Sequence, residues 1–167
     1  VYHDLGNINL TFIETAPRLP EFVTYLQRTL DFLNSIGLMA KGGERLGIYL
    51  NGLKISGSAQ CVHKNRVLYH CTLLYDTDLT ALHKALNPEL MVDDETLSSV
   101  YAVPSVRSEV TNIRSYLPEG TVTDFKEKAF QYFSKSQSVS AFTGKEIEAV
   151  NQLREGKYIQ KEWIYSR

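Results

Sequence analysis

Several things are scarce in this 167-residue chain, and each scarcity excludes something. Cysteine occurs twice, at Cys61 and Cys71. A pair in a mid-sized domain points to reduced, packed thiols in a reducing, cytoplasmic setting, although a disulfide between them stays open at this point. Neither charge dominates: 18 basic residues face 19 acidic ones, a formal net charge of -1. Without a basic stripe there is no electrostatic footprint for nucleic acid. No apolar run is long enough to span a bilayer, and no charged-then-apolar leader opens the chain, so no membrane partner is expected. H-x-x-x-H and C-x-x-C spacings are missing, which leaves no metal-ligating set to name. Internal repeats and low-complexity linkers are missing too. At 43% hydrophobic and 22% charged residues, residues 1–167 read as a single domain able to bury a sizeable core.

What is present centres on Asn51 to Asp78. Asn51-Gly52 lies between apolar flanks, Ile48 to Leu50 before it and Leu53 and Ile55 after it. This is a strong hairpin signal, because both central residues of the favoured turn need a positive φ. Lys54 then falls early on the returning strand, on the face opposite Leu53 and Ile55. The small residues Ser56-Gly57-Ser58-Ala59 follow and leave room for a ligand to approach the backbone. A second ribbon runs from Gln60 to His63, turns at Lys64-Asn65-Arg66, and returns from Val67 to Leu74. Its period of two puts Leu68, His70, Thr72 and Leu74 on one face, and Val67, Tyr69, Cys71 and Leu73 on the other.

Around this centre the elements alternate. Ile8 to Phe12 alternates as a half-buried strand. Glu21 to Ile36 has Phe22, Leu26, Leu30 and Leu33 at helical spacing, with Pro20 before it and Gly37 after it. Lys41 to Arg45 reads as a loop. Asp76-Thr77-Asp78 supplies cap residues for a short helix that ends at Asn87-Pro88. Residues 89–99 read as polar loop or weak helix, and 104–112 as an irregular segment. Thr123 is expected to cap a helix containing Phe125, Ala129, Tyr132 and Phe133. Residues 134–140 read as loop or edge strand. Thr143-x-x-Glu146 is a capping box that opens a helix through Arg154, with Gly156 as its terminating glycine.

On physical grounds alone, Lys54 is either a solvated strand lysine or a point charge that stabilises a phosphate or carboxylate. Gly42 and Gly43 beside Arg45 could cradle a phosphate or form an ordinary turn. His70 reads first as a half-buried structural histidine, and His3 and Asp4 point to opposite faces of a strand, so they are no ready dyad. The cysteines lack an evident pKa-lowering neighbourhood. These residues describe an α+β small-molecule-binding domain with an anion-friendly hairpin.

Four stretches together resemble lipoate–protein ligases. Val1-Tyr2-His3-Asp4-Leu5-Gly6-Asn7 is similar to that family's V-[FY]-H-D-x-G-N strand, and Gly52 to Ala59 to its G-x-K-[IV]-S-G-x-A motif. His70-Cys71-Thr72-Leu73-Leu74 is similar to H-G-T-L-L, and Ser105 to Asn112 to S-V-R-S-x-V-T-N. The resemblance implies a central, largely antiparallel mixed sheet flanked by helices, the biotinyl/lipoyl ligase-like fold. It also implies activation of lipoate or octanoate by ATP and Mg²⁺ to an acyl-adenylate. Transfer then follows to a lysine of a lipoyl-acceptor domain, such as those of 2-oxoacid dehydrogenase complexes or the glycine-cleavage H protein. A monomer is expected.

By the same resemblance Lys54 is the catalytic residue. Val1, Tyr2, His3, Asp4, Gly6, Asn7 and Arg45 would bind the lipoate or adenylate, with Ser56, Gly57, Ser58, Ala59, His70 and Thr72. The family's Arg-Arg-x-[Ser/Thr]-Gly-Gly-Gly loop, which precedes the first of these strands, is missing, so truncation at the N-terminus is expected. Leu46-Gly47 stands where the family has Asn-Asp, and Cys71 where it commonly has glycine. Two alternatives stay in play: an octanoyl or lipoyl transferase of the same fold that uses a cysteine or lysine, and, motivated by the changes at Leu46, Gly47 and Cys71, a degenerate module that binds without catalysis.

Overall fold

A computed structural model of the chain describes residues 2–15, 20–87, 108–135 and 138–165. Val1 and the Ser105-Val106-Arg107 part of the fourth motif lie outside the described residues, as do the expectations for 89–99 and 104–107. The chain divides into two compact units, 1–132 and 133–167.

In the first unit, β1 (Asn7–Thr15) pairs antiparallel with β6 (Arg66–Leu74), which pairs antiparallel with β5 (Ser58–His63). A second three-stranded antiparallel sheet holds β2 (Lys41–Gly42), β3 (Ile48–Leu50) and β4 (Leu53–Ser56) in that order. The two pieces meet where the Thr72 amide donates to the Gly57 carbonyl at 3.0 Å, at the junction of β4 and β5. Lys41 and Gly42 therefore pair with β3, where a plain loop was expected. The β3–β4 turn has Asn51 at φ 48 and Gly52 at φ 84, the two positive values that the Asn-Gly dipeptide anticipates.

The period-two reading of β6 holds. Val67, Tyr69, Cys71 and Leu73 are buried, and Ile8, Leu10 and Phe12 lie opposite Leu73, Cys71 and Tyr69 on that face. Packed within this cluster is Tyr25 of α1 (Phe22–Ser35), its ring stacked on Tyr69 at 5.5 Å between centroids. Phe22 is only half-buried. Tyr25, Thr29 and Phe32 join Leu26, Leu30 and Leu33 in the core, so the buried stripe of α1 is wider than its aliphatic spacing suggests. Each such fully buried large side chain contributes on the order of 1.5–3 kcal/mol. α1 stops at Gly37, whose φ of +90 lets its amide and that of Leu38 reach back to the carbonyls of Asn34 and Leu33.

α2 (Leu79–Leu86) is capped by Asp78, which accepts from the amides of Thr80 and Ala81 at 3.0 and 2.9 Å. α3 (Val122–Ser134) starts earlier than expected. Its cap is Thr121 rather than Thr123: the Thr121 hydroxyl accepts from the Asp124 amide, and the Asp124 carboxylate accepts from the Thr121 amide. Phe125 of α3 is buried against Phe32 and Tyr75.

In the second unit, α4 (Gly144–Leu153) opens with the expected Thr143–Glu146 capping box. Gly156 does not end it. The helix runs on through a π-helical turn at Arg154–Tyr158, and α5 (Lys161–Tyr165) follows. Gly156 is not among the glycines with positive φ, so it has no terminating geometry. None of the residues of α4 is buried, and Ile147, Val150 and Leu153 are exposed.

Candidate functional site

The segment leading into β1 folds on itself before the strand begins. The Asp4 carboxylate accepts from the Gly6 amide at 2.9 Å, the Asp78 amide at 2.7 Å and the Tyr2 hydroxyl at 3.1 Å. Desolvation works to raise the Asp4 pKa, but these donors outweigh it and hold the carboxyl below its ordinary value. Gly6 lies so close to the chain at Asp76 that a Cβ there would be 2.0 Å from the Asp76 carbonyl oxygen. Its own carbonyl accepts from the amides of Tyr75 and Asp76. From the other side, the Asn112 side chain accepts from the Thr77 amide at 3.0 Å and donates to the Thr77 carbonyl at 2.8 Å. Arg114 pairs with Asp76. The first and fourth motifs thus converge on residues 75–78 and fix where α2 begins.

That placement builds a cavity of about 840 Å³ within the first unit. α2 contributes Leu82, His83 and Leu86 to its wall, and β4 contributes Leu53, Lys54 and Ser56. Tyr2, His3 and Asn7 line it from the segment entering β1, Thr72 and Leu74 from β6, and Gly57 from the sheet junction. Asn87, Ser108, Glu109 and Val110 also line it. Glu109 is placed by the backbone: its carbonyl accepts from the Lys54 amide at 2.8 Å, while the Lys54 carbonyl accepts from the Thr111 amide at 3.0 Å.

Lys54 is half-buried, and its ammonium makes no ion pair or hydrogen bond among the described residues. Its stem passes Gly47 closely. A Cβ on Gly47 would stand 3.3 Å from Lys54 Cε and 3.3 Å from the Tyr49 hydroxyl. The glycine at this departure point therefore leaves the lysine its path along the backbone. Leu46, at φ 56, turns its side chain to the aromatic core around Tyr25 and Tyr69.

The Asn7 amide nitrogen contacts His3 Nδ1 at 2.8 Å and donates to Asn9 Oδ1 at 3.1 Å. With Asn7 as donor, a neutral His3 accepts at Nδ1 and carries its proton on Nε2. His3 is thus set to donate. The cavity combines leucine and valine walls with a free cation and a positioned N–H, which suits an apolar chain that ends in an anion.

Of the residues expected from the sequence, the structure brings Tyr2, His3, Asn7, Lys54, Ser56, Gly57 and Thr72 together on this cavity. Asp4 and Gly6 are off its wall and act on the position of α2 instead. Arg45 is exposed in the β2–β3 loop, and Ser58 donates to the Leu46 carbonyl at 3.2 Å. Ala59 and His70 are a cross-strand pair on the sheet face away from α1, where Thr11 Oγ1 meets His70 Nδ1 at 2.8 Å. The sequence reading missed His83 and Glu109, the leucines of α2, and Leu74 and Val110. Both cysteines are free. Cys71 points into the core beside Thr29, away from the cavity, and burial pushes its thiol up to about 11.

ATP would meet Lys54 and the His3 N–H as donors to its anionic groups. For Mg²⁺ the wall offers a single carboxylate, Glu109, and the described residues hold no cluster of three or more potential metal ligands. The described lining does not fit a metal site. No helix among the described residues is long and apolar enough to cross a membrane.

Residues 1–134 match the lipoyl protein ligase A/B catalytic domain. A probable lipoate-protein ligase A of Mycoplasma pneumoniae is 36% identical over 140 residues, which cover 82% of this chain and 40% of that protein. Its counterpart in Mycoplasma genitalium is 33% identical over 174 residues, covering 100% of this chain and 50% of that protein. The chain therefore spans about half the length of the curated relatives it matches. Among solved structures, lipoate-protein ligase A bound with ATP superposes with a TM-score of 0.74 at 24% identity, covering 98% of this chain and 66% of that one. The bi-partite lipoate protein ligase of Thermoplasma acidophilum gives 0.73 at 24% identity, covering 98% and 65%. At that identity these two show the fold, the α+β arrangement of antiparallel sheets and helices described above. By sequence, the chain belongs to the lipoyl protein ligase A/B catalytic domain family.

Proposed function

We propose that this chain carries the catalytic part of an ATP-dependent lipoate–protein ligase. Lipoate or octanoate is activated to an acyl-adenylate, and the acyl group passes to a lysine of a lipoyl-acceptor domain. The observation that carries this reading is the Lys54 ammonium, unpartnered among the described residues on a cavity with apolar walls. The leucines of α2 with Leu53 and Val110 would hold the acyl chain. Lys54 would sit at the carboxyl–phosphate junction and offset the charge that gathers there as the mixed anhydride forms and breaks. The His3 Nε2–H adds a neutral donor to the same wall. Matches named lipoate-protein ligase support the substrate, and the ATP-bound relative supports the nucleotide. A relative crystallised as a lipoylation system with its E2 lipoyl domain supports an acceptor of that kind.

A cysteine-based acyl transferase fits less well. Cys71 is buried with a raised pKa, and Cys61 is exposed on β5 away from the cavity. The test is lipoate-dependent ATP–pyrophosphate exchange with the intact protein. Lys54→Ala should reduce exchange at least about 100-fold with an unchanged circular dichroism spectrum. Exchange that survives the substitution, or its absence from the wild type beside an active control ligase, counts against the reading. Tight adenylate binding without turnover would instead point to the non-catalytic module.

A further inference from the structure

The ligase reading explains Lys54 and the leucines, but it leaves His83 on α2 and Glu109 beside β4, two titratable groups on the wall, with nothing to do. Both are exposed, and neither is engaged by a side-chain hydrogen bond or ion pair among the described residues. A carboxylate is a poor neighbour for phosphate but a good one for a cation. The remaining ionisable groups among the described residues of the wall are Tyr2, His3 and Lys54, with Lys84 adjacent to His83 on α2. Among the described residues of this wall, His83 is the one imidazole whose ring nitrogens nothing engages. His3 accepts at Nδ1 from Asn7 and presents a proton at Nε2, and Lys54 has donors only.

We propose that His83 and Glu109 form the subsite for the acceptor amine, with Glu109 holding the incoming ammonium and His83 taking its proton. The inference rests on the ligase reading. An acceptor lysine arrives charged, because its ordinary pKa is about 10.4. It gives one proton to His83, and the freed lone pair forms the N–C bond to the acyl carbon. The C–O bond to phosphate breaks, its electron pair leaves with AMP, and the new amide nitrogen sheds its second proton to solvent.

The two half-reactions separate this from the ligase reading. Transfer is started from supplied lipoyl-adenylate with an isolated lipoyl domain as acceptor, and pyrophosphate exchange is measured alongside. His83→Gln should leave exchange within about twofold of wild type and slow transfer at least about 100-fold. It should also remove the rising limb of the transfer pH profile, and added imidazole should restore part of the rate. Glu109→Gln should raise KM for the acceptor with little change in kcat. Transfer by His83→Gln at the wild-type rate and with the wild-type pH profile overturns the inference. Missing exchange in the wild type overturns the ligase reading, while the transfer assay still reads the subsite.

Discussion

The Tyr69 hydroxyl is buried in the aromatic cluster between sheet and helix, with no hydrogen-bond partner of good geometry among the described residues. Ser58, the side chain beside it, donates its proton to the Leu46 carbonyl and accepts from the Gln60 side-chain amide. A buried, unsatisfied hydroxyl costs about 1–3 kcal/mol, whereas the ring keeps its packing on Tyr25 and Phe12 without it. Tyr69→Phe is therefore expected to stabilise the protein by about 1 kcal/mol, read as a higher midpoint in urea at unchanged slope. A lower midpoint would show that the hydroxyl is satisfied in solution. Gly6 is the opposite kind of residue: its missing Cβ is what allows the segment before β1 to lie against Asp76, a packing reason for a glycine at this place in a recognisable motif.

At the scale of elements, α2 matters most, because one short helix brings His83 and the apolar wall to the cavity. It has eight residues, too few for independent helicity, so its ends decide its order. Asp78 caps it through two amides, and its own amide is held by Asp4. Asp78→Ala is expected to cost about 1 kcal/mol of local stability. Hydrogen exchange of the amides in 79–86 should speed up while those of β6 stay protected. The same substitution should raise KM for lipoate more than it lowers pyrophosphate exchange at saturation, since the wall loosens while Lys54 stays on its strand. Uniform protection in 79–86 would show that tertiary contacts, not the cap, hold the helix.

Over the whole molecule, pH dependence on the alkaline side follows from the core. Burial raises Tyr69 from 10.0 to about 12 and Cys71 from 9.0 to about 11. Both groups bind their protons more tightly folded than unfolded, so their contribution is fully present below about pH 9 and falls as pH rises. The loss begins near the unfolded values and is complete once pH passes the folded ones, about 3 kcal/mol for each group. Alkaline unfolding between pH 9 and 12, followed by circular dichroism, should move to higher pH in Tyr69→Phe. An unchanged midpoint would mean that surface tyrosines and lysines dominate instead.

Local chemistry was readable from the chain itself. Asn51-Gly52 specifies its turn because both residues must take positive φ, the alternation of Val67 to Leu74 specifies two faces, and Asp78 and Thr143 specify helix starts through their side-chain oxygens. Such signals act within a few residues, so they survive without knowledge of the fold. The α1 stripe was read too narrowly, because Tyr25 and Thr29 are buried only by the sheet that lies across them. Thr121 rather than Thr123 caps α3, a choice between neighbours that backbone geometry makes. Lys54 was visible as a lone cation after a tight turn, but the space it faces was not. A cavity is a gap between elements far apart in sequence, and its outline depends on how Asp4 and Asn112 tether residues 75–78. His83 and Glu109 gave no local signal because only that tethering, and the bridge from Lys54 to Val110, puts them on one wall.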